Sequence, residues 1–158
     1  RVTASGPARR WRVRYFGELA QGSAARGCAV WLVDSANDRA IGEEIARAAT
    51  GACRNLCGDT TLAEAIDLLA SAAVVVSNDS GLMHVAAALS RPLVALYGSS
   101  SPAYTPPLSR GARILKLDLT CSPCFQRECP LGHFNCMVQL APDRVLAAVD
   151  FDRIQSLK

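Results

Sequence analysis

Short apolar runs and longer amphipathic stretches alternate along this chain. The short runs are rich in β-branched and other apolar residues, which is typical of buried strands. They cover residues 28–33, 74–76, 93–97 and 112–117, with at most a brief strand at 55–56. The longer stretches repeat their apolar residues at the period of a helix. They cover residues 13–25, 41–49 and 81–89, with a last helix that begins near 142 and contains 145–149.

The start of one further helix is indicated by its capping residues. Thr61 precedes an apolar stretch, and Glu64 follows it three positions later. In such a capping box each side chain accepts a hydrogen bond from the backbone N–H of the other residue. We therefore expect a helix that is capped by Thr61 and runs to about Ala72.

This alternation of strands and helices predicts the fold class. An α/β order of this kind favours a parallel sheet with helices on both faces, arranged as in a Rossmann-like domain. Ligands of such sheets bind beyond the carboxyl ends of the strands, where loops lead into helices. Those loops are therefore the places to look for a binding site.

Composition limits the kind of protein. The chain has 158 residues, of which 50% are apolar and 20% are charged, and this is consistent with one globular domain. Since no apolar run reaches the roughly 18 residues that span a membrane, the expected location is the cytoplasm. The net charge of +3 is too small to indicate a nucleic-acid partner, and the aromatic residues are few. Most arginines are dispersed, but five cluster near the N-terminus, as either a solvated face or a phosphate contact: Arg1, Arg9, Arg10, Arg12 and Arg14.

Two predicted strands end in small polar residues, at 78–81 (Asn-Asp-Ser-Gly) and at 98–101 (Gly-Ser-Ser-Ser). A helix beginning at Gly81 would present free N–H groups and a partial positive charge, which together bind a phosphate. His84 lies one turn further on the same face, and Asp79 is suited to accept hydrogen bonds from hydroxyl groups. The alternative is structural: residues 78–80 cap the helix and His84 is a packed histidine. The segment at 98–101 is the weaker of the two signals.

Seven cysteines are present, an odd number. Four lie close together, at Cys121, Cys124, Cys129 and Cys136, with His133 among them. They are either zinc ligands or reduced thiols, with disulfides only in an oxidising compartment. Whether they bind a metal stays open. The other three are interpreted as small core residues: Cys28, Cys53 and Cys57.

Specific segments of the chain resemble a known family. The segment "NLCGDTTLAEAIDLLASAAVVVSNDSGLMHVAAALSRPLVALYGSSSPAYTPPLS", the later "CSPCFQRECPLGHFNC" and the earlier "GPARRW" are similar to the ADP-heptose:lipopolysaccharide heptosyltransferases, in particular their heptosyltransferase II group. Ser-Asn-Asp-Ser-Gly-Leu-Met-His, at 77–84, is the most specific part. The resemblance implies the C-terminal, donor-binding half of a GT-B glycosyltransferase.

The resemblance also implies a set of donor-binding residues. At the helix start, the residues matched to the heptose and diphosphate of the donor are Asp79, Ser80, Gly81 and His84. Arg9 stands where the family has a lysine near the phosphates, so the charge is kept but the shape is not. Asp38, in "DSAND", matches an acid near the adenosine, whereas Asp34 replaces a family glycine whose role is a close backbone approach.

Further expectations concern what the chain does not supply. The resemblance implies ADP-L-glycero-D-manno-heptose as donor substrate, with no cofactor required. It places the general base in an N-terminal acceptor domain that this chain lacks, so no catalytic residue is assigned here. The lipopolysaccharide core would be the acceptor, with peripheral contact of the full enzyme at the inner face of the inner membrane. Two alternatives stay open: a noncatalytic, truncated nucleotide-binding module, and a donor domain for another nucleotide sugar.

Overall fold

The computed structural model describes residues 7–156, so Arg1 and Gly6 of the sequence motifs lie outside the described residues. Its strands are β1 (Trp31–Leu32), β2 (Arg54–Asn55), β3 (Val75–Asn78), β4 (Leu93–Tyr97) and β5 (Ala112–Lys116). Its α-helices are α1 (Val13–Ala24), α2 (Arg39–Ala48), α3 (Leu62–Ser71), α4 (Gly81–Ala88), α5 (Asn135–Val138), α6 (Pro142–Ala148) and α7 (Phe151–Gln155). Short 3-10 helices cover Pro7–Arg9 and Ala36–Asp38.

All the strand pairs of the described residues are parallel. In the larger sheet the order is β3-β4-β5, with Val75 opposite Leu93 and Leu93 opposite Ala112. In the smaller sheet β1 pairs with β2, with Trp31 opposite Arg54. Helices join β1 to β2, β2 to β3 and β3 to β4, whereas a loop over residues 98–111 joins β4 to β5. Each connection is long enough for the crossover that parallel pairing requires. The expected α/β, Rossmann-like arrangement is confirmed.

The central strand β4 divides the core into two layers. Successive side chains of a strand point to opposite faces, and β4 is buried along its whole length. Val94 and Leu96 pack with residues of α1, α2 and α6, whereas Leu93, Ala95 and Tyr97 pack with residues of α3 and α4. Helices therefore cover both faces of the sheet, which explains why the 93–97 run is apolar at every position.

Most element boundaries agree with the sequence-based expectations. The capping box is present: Thr61 accepts a hydrogen bond from the Glu64 N–H, and the Glu64 side chain accepts one from the Thr61 N–H. The expected strand at 28–33 is the main exception, because only Trp31 and Leu32 are paired. The short helices α5 and α7 were not expected from the pattern. Within residues 7–156, no helix is long and apolar enough to cross a bilayer.

Candidate functional site

The end of β3 and the start of the loop that follows it are buried and hydrogen-bonded. Asn78 is fully buried, and its side-chain oxygen accepts a hydrogen bond from the Trp11 N–H at 3.3 Å. The Ser77 hydroxyl donates to the Asn78 carbonyl at 2.8 Å and lies 3.1 Å from the Ser80 hydroxyl. The Asp79 N–H donates to the Leu96 carbonyl at 3.1 Å. These bonds fix the point at which the chain leaves the sheet and enters α4.

The N-terminus of α4 is not capped by its own side chain. Ser80 has an extended backbone, and its hydroxyl makes no capping hydrogen bond. The N–H groups of Met83 and His84 return to the Ser80 carbonyl. The two earlier amides, of Gly81 and Leu82, precede the first intrahelical acceptor and point out of the helix. This uncapped end contradicts the interpretation of residues 78–80 as a helix cap alone, and it leaves N–H donors for an anion.

An arginine and a carboxylate meet beside this helix end. Arg9 Nη1 lies 3.6 Å from Asp79 Oδ2. Asp79 is 5% exposed and Arg9 is 29% exposed, so the carboxylate lies inside and the guanidinium lies at the rim. Asp79 Oδ2 has no hydrogen-bond partner in the described part of the chain, which means that the pair is an ion pair without a direct hydrogen bond. A ligand hydroxyl would supply the missing donor.

The 3-10 helix Pro7–Arg9 is held against the carboxyl end of β4. The Ser99 N–H donates to the Ala8 carbonyl at 3.4 Å, and the Ala8 N–H donates to the Arg127 carbonyl at 3.1 Å. Gly98 allows this approach, because a Cβ there would lie 3.0 Å from the Ala8 carbonyl oxygen and 2.8 Å from the Met137 side chain. The segments that follow β3 and β4 therefore both contact the Pro7–Arg9 helix: Asp79 pairs with Arg9, and Ser99 is bonded to Ala8.

Ser99 and Ser100 extend the polar surface of this region. They are 1% and 2% exposed, and neither hydroxyl has a hydrogen-bond partner among residues 7–156. Sequence reasoning ranked this segment below the loop at 78–81. The sequence signal for a site here is the run of small polar residues that follows a second buried strand. The pattern does not show that this run packs against the Arg9 segment.

His84 lies on the surface, one helical turn from Gly81. The alternative interpretation of His84 as a packed core histidine is therefore wrong. Since residues three apart on a helix share a face, its ring is available to a ligand at the helix end.

A buried tyrosine, Tyr97, lies near Asp79. Tyr97 is fully buried, and its hydroxyl donates to the Thr105 carbonyl. Burial, and then the charge of Asp79, raises the pKa of Tyr97 to about 12. This phenol stays neutral at physiological pH and acts as a hydrogen-bond donor to the backbone.

Asp38 occupies the loop beyond β1, in the 3-10 helix Ala36–Asp38. Its carboxylate accepts a hydrogen bond from the Ser35 hydroxyl at 2.8 Å. Asp34 is buried, and its carboxylate accepts from the Ser35 N–H at 2.8 Å. The close approach in this loop occurs at Gly58, where a Cβ would lie 2.7 Å from the Ala36 Cα. The close approach of the backbones at Gly58 and Ala36 therefore does not depend on a glycine at position 34.

The four clustered cysteines are all free. Cys129 accepts a hydrogen bond from the Phe134 N–H at 3.4 Å, and this bond, followed by weaker bonds from other backbone N–H groups, lowers the pKa of its thiol. Burial, and then the neighbouring thiols, raises the pKa of Cys136. Within the described range no three His, Cys, Asp or Glu side chains are placed to hold one metal ion, so the zinc interpretation gains no support. Cys57 is fully buried, as expected of a core residue.

Comparison with known proteins identifies a family and several similar chains. The family model described as glycosyltransferase family 9 (heptosyltransferase) matches residues 2–135. The chain is 52% identical over 116 residues to lipooligosaccharide heptosyltransferase 2 of Haemophilus influenzae, a match that covers 71% of this chain and 34% of that protein. It is 45% identical over 145 residues to lipopolysaccharide heptosyltransferase 2 of Salmonella typhimurium, with 89% and 42% covered.

One solved structure is similar over nearly the whole chain. It is described as the structure of E. coli ADP-heptose lps heptosyltransferase II, and it superposes with a TM-score of 0.83 at 43% identity. The match covers 97% of this chain and 44% of that one. The chain therefore spans less than half the length of the relatives to which it is similar.

Proposed function

The chain belongs to glycosyltransferase family 9, the heptosyltransferases, and from this membership we propose that it is the donor-binding half of a GT-B heptosyltransferase. The proposed ligand is ADP-L-glycero-D-manno-heptose, bound at the N-terminus of α4. The observation that carries the proposal is the uncapped helix end with Arg9 and Asp79 beside it.

The chemistry of these groups suits a nucleotide diphosphate sugar. The free N–H groups of Gly81 and Leu82, the positive end of the helix and the Arg9 guanidinium would all attract the diphosphate. In sugar transfer the bond to this diphosphate breaks, so the same donors would stabilise the charge that develops on the leaving group. A preformed site of this kind acts without rearranging when the charge appears.

Asp79 is proposed to bind the sugar and not the phosphate. A carboxylate repels a phosphate but accepts hydrogen bonds from hydroxyls, and its Oδ2 has no hydrogen bond within the described residues. His84, exposed one turn along α4, is proposed to contact the same part of the donor. Asp38 is proposed to lie near the adenosine, where the Ser35–Asp38 hydrogen bond already orders the loop.

The acceptor side of the reaction is proposed to lie elsewhere in a longer protein. An inverting transfer needs a general base at the acceptor hydroxyl as well as a stabilised leaving group. The residues assigned here provide the second function. A separate acceptor domain is proposed to supply the base and to bind the lipopolysaccharide core at the inner face of the membrane.

Calorimetric titration of ADP and of ADP-heptose would test the donor site. We expect the 158-residue chain to bind both weakly and to transfer no heptose. Arg9→Ala should weaken both ligands, whereas Asp79→Asn should weaken ADP-heptose by roughly 10- to 100-fold and leave ADP unchanged or tighter, because hydrogen bonds to charged groups contribute about 1.5–3 kcal/mol.

Arg14→Ala provides a matched control. Arg14 lies on the exposed face of α1, where it pairs with Glu18. Its removal should leave both affinities unchanged, and thermal melts should show that each variant is folded. Equal affinities of all three variants for both ligands would contradict the proposed site, and measurable heptose transfer by this chain would contradict the proposed division of roles.

A further inference from the structure

The buried polar atoms that lack a hydrogen bond are concentrated in one region. Among residues 7–156, the buried side-chain N and O atoms without a partner are Arg10 Nε, Asp79 Oδ2, Ser99 Oγ and Ser100 Oγ. The segment around Arg10 contacts both of the others, since Arg9 pairs with Asp79 and the Ala8 carbonyl accepts from the Ser99 N–H. Buried polar groups are normally paired, so a concentration of unpaired ones indicates a polar ligand. The proposed donor uses Asp79 but not the two serine hydroxyls.

An exposed pair of aromatic rings lies beside these serines. Tyr104 and Phe125 are 78% and 49% exposed, and their ring centroids lie 5.3 Å apart in an edge-to-face arrangement. The backbone joins both residues to the serine loop. The Phe125 N–H donates to the Ser99 carbonyl at 2.7 Å, and the Tyr104 N–H donates to the Ser101 carbonyl at 3.1 Å. The rings are therefore held at the carboxyl end of β4, next to the Arg9 segment.

Phe125 has an unusual backbone conformation. Its φ is 58°, in the left-handed region that a bulky residue seldom adopts. The bond to Ser99 and a second bond, from the Ser122 hydroxyl to the Gly98 carbonyl at 2.8 Å, hold this turn against β4. Strained conformations of this kind concentrate at functional sites. Because the turn leaves the Phe125 ring half exposed, it indicates a function for the exposed ring.

The chemistry of these two groups together suits a pyranose ring. One face of a pyranose carries C–H groups that pack on an aromatic ring, and its rim carries hydroxyls that donate and accept hydrogen bonds. A serine hydroxyl also donates and accepts, and without a partner it is free to turn about χ1 toward a ligand. A phosphate only accepts hydrogen bonds and gains nothing from the aromatic pair.

The order of the strands places this region away from the proposed adenosine end of the donor. Asp38 follows β1, and β1 lies across an apolar groove from β3. The described lining of this groove includes no residue of β4, which pairs with the other edge of β3. A donor that extends from the Asp38 loop to the helix end at Gly81 therefore leaves the β4 side open to a second ligand.

We propose that Ser99, Ser100, Tyr104 and Phe125 form a second, carbohydrate-binding subsite that takes a pyranose ring of the acceptor. This inference rests on the proposed function, because it takes the acceptor to be a sugar. The rings pack on the C–H face of the pyranose, and the serine hydroxyls bond to its rim. The subsite adjoins Asp79, so it holds the acceptor sugar next to the donor sugar, as transfer requires. This chain then contributes to acceptor binding as well as to donor binding.

The test titrates the 158-residue chain with a delipidated lipopolysaccharide core oligosaccharide, followed by saturation-transfer NMR. We expect weak binding in which ring C–H protons of the sugar receive the saturation. Tyr104→Ala should weaken this binding by about 2- to 10-fold, because it removes a stacking ring, whereas Tyr104→Phe should preserve it. Leu108→Ala is the matched control and should have no effect, since Leu108 is 84% exposed in the same loop but has no ring.

Ser100→Ala separates a role in binding from a role in folding. The hydroxyl has no partner within the described residues, so its removal should leave the Tm unchanged or raise it. It should nevertheless weaken the oligosaccharide by roughly 2- to 10-fold, which is the effect of one lost hydrogen bond. A lower Tm with unchanged oligosaccharide binding would contradict the assignment of Ser100 to the subsite.

Titration of ADP distinguishes the subsite from the donor site. Tyr104→Ala and Ser100→Ala should bind ADP as the unaltered chain does, and saturating ADP should leave the oligosaccharide bound. If the unaltered chain does not bind ADP, the donor site is contradicted, and the oligosaccharide titration alone decides the subsite. The subsite is overturned if the oligosaccharide does not bind, if ADP displaces it, or if Tyr104→Ala binds it as tightly as Leu108→Ala does. It is also overturned if the chain is a dimer that Tyr104→Ala dissociates, because the rings would then contact a second copy.

Discussion

The Arg9–Asp79 pair allows a quantitative test of the site in the absence of ligand. At 3.6 Å and an effective dielectric constant near 20, the two charges attract each other by about 4–5 kcal/mol. Removing both charges from water costs several kcal/mol, so the net contribution of the intact pair to stability is small. The informative quantity is the cost of removing one member.

The two single substitutions should differ because the two side chains differ in exposure. Arg9→Met leaves the 5% exposed Asp79 carboxylate without its cation, and we expect a loss of about 2–3 kcal/mol of unfolding free energy. Asp79→Asn leaves Arg9, which at 29% exposure can turn toward water, and we expect a loss of about 1 kcal/mol.

The double variant gives the decisive result. Arg9→Met together with Asp79→Asn contains no unpaired buried charge, so it should be more stable than Arg9→Met alone. Urea unfolding followed by circular dichroism measures all four corners of this cycle, provided that the m-value stays constant. Arg14→Met, in the exposed Arg14–Glu18 pair, is the control and should change stability by less than about 0.5 kcal/mol. Additive effects of the two substitutions would refute the coupling between Arg9 and Asp79.

Three further predictions follow from local geometry. Thr61→Ala should cost about 1 kcal/mol in urea unfolding, because it removes the cap of α3. Hydrogen bonds from the Thr61 backbone and then its side chain lower the pKa of Glu64 below its ordinary value of 4.5, so the stability linked to Glu64 is present above that value and is lost as the pH falls through the lowered pKa. Thr61→Ala keeps the backbone N–H and loses the hydroxyl, so it should flatten the acid limb of the stability profile only in part, and an unchanged limb would contradict the contribution of the hydroxyl. Gly58→Ala should lower the Tm more than Gly51→Ala. Both glycines have positive φ, but a Cβ at Gly58 would lie 2.7 Å from the Ala36 Cα, whereas a Cβ at Gly51 would meet no atom within 4 Å. Equal losses of Tm would show that the backbone around Gly58 moves to accommodate the methyl group. Iodoacetamide near pH 7.5 should alkylate Cys129 before Cys57, as followed by mass spectrometry. Hydrogen bonds from backbone N–H groups lower the pKa of Cys129, whereas burial raises the pKa of Cys57 to about 11. Alkylation in the reverse order would contradict the backbone arrangement around Cys129.

Features that depend on neighbouring residues in sequence were predicted well. The 93–97 run becomes strand β4 with both expected ends, because Pro92 and Gly98 border a continuous apolar segment. The capping box at Thr61 and Glu64 forms as expected, since its hydrogen bonds join residues three positions apart. The start of α4 at Gly81 was also predicted, and with it the location of the candidate site beyond β3.

Features that depend on partners distant in sequence were not determined by the pattern. The apolar run at 28–33 predicts a longer strand, but a strand requires a paired neighbour, and β2 pairs with only Trp31 and Leu32. The exposure of His84 depends on which face of α4 packs on the sheet, and its sequence position allows either state.

The sequence by itself determined the α/β class, the order of most elements and the position of the helix end that is proposed to bind an anion, because hydrophobic period and capping act over a few residues. Only the tertiary structure brought Arg9 to Asp79, 70 positions further along, and joined the Ser99 N–H to the Ala8 carbonyl. Such contacts arise when parallel strands place their carboxyl ends at one edge, so distant loops converge there. A local pattern indicates that each loop is polar, but the sheet decides which of them share a site.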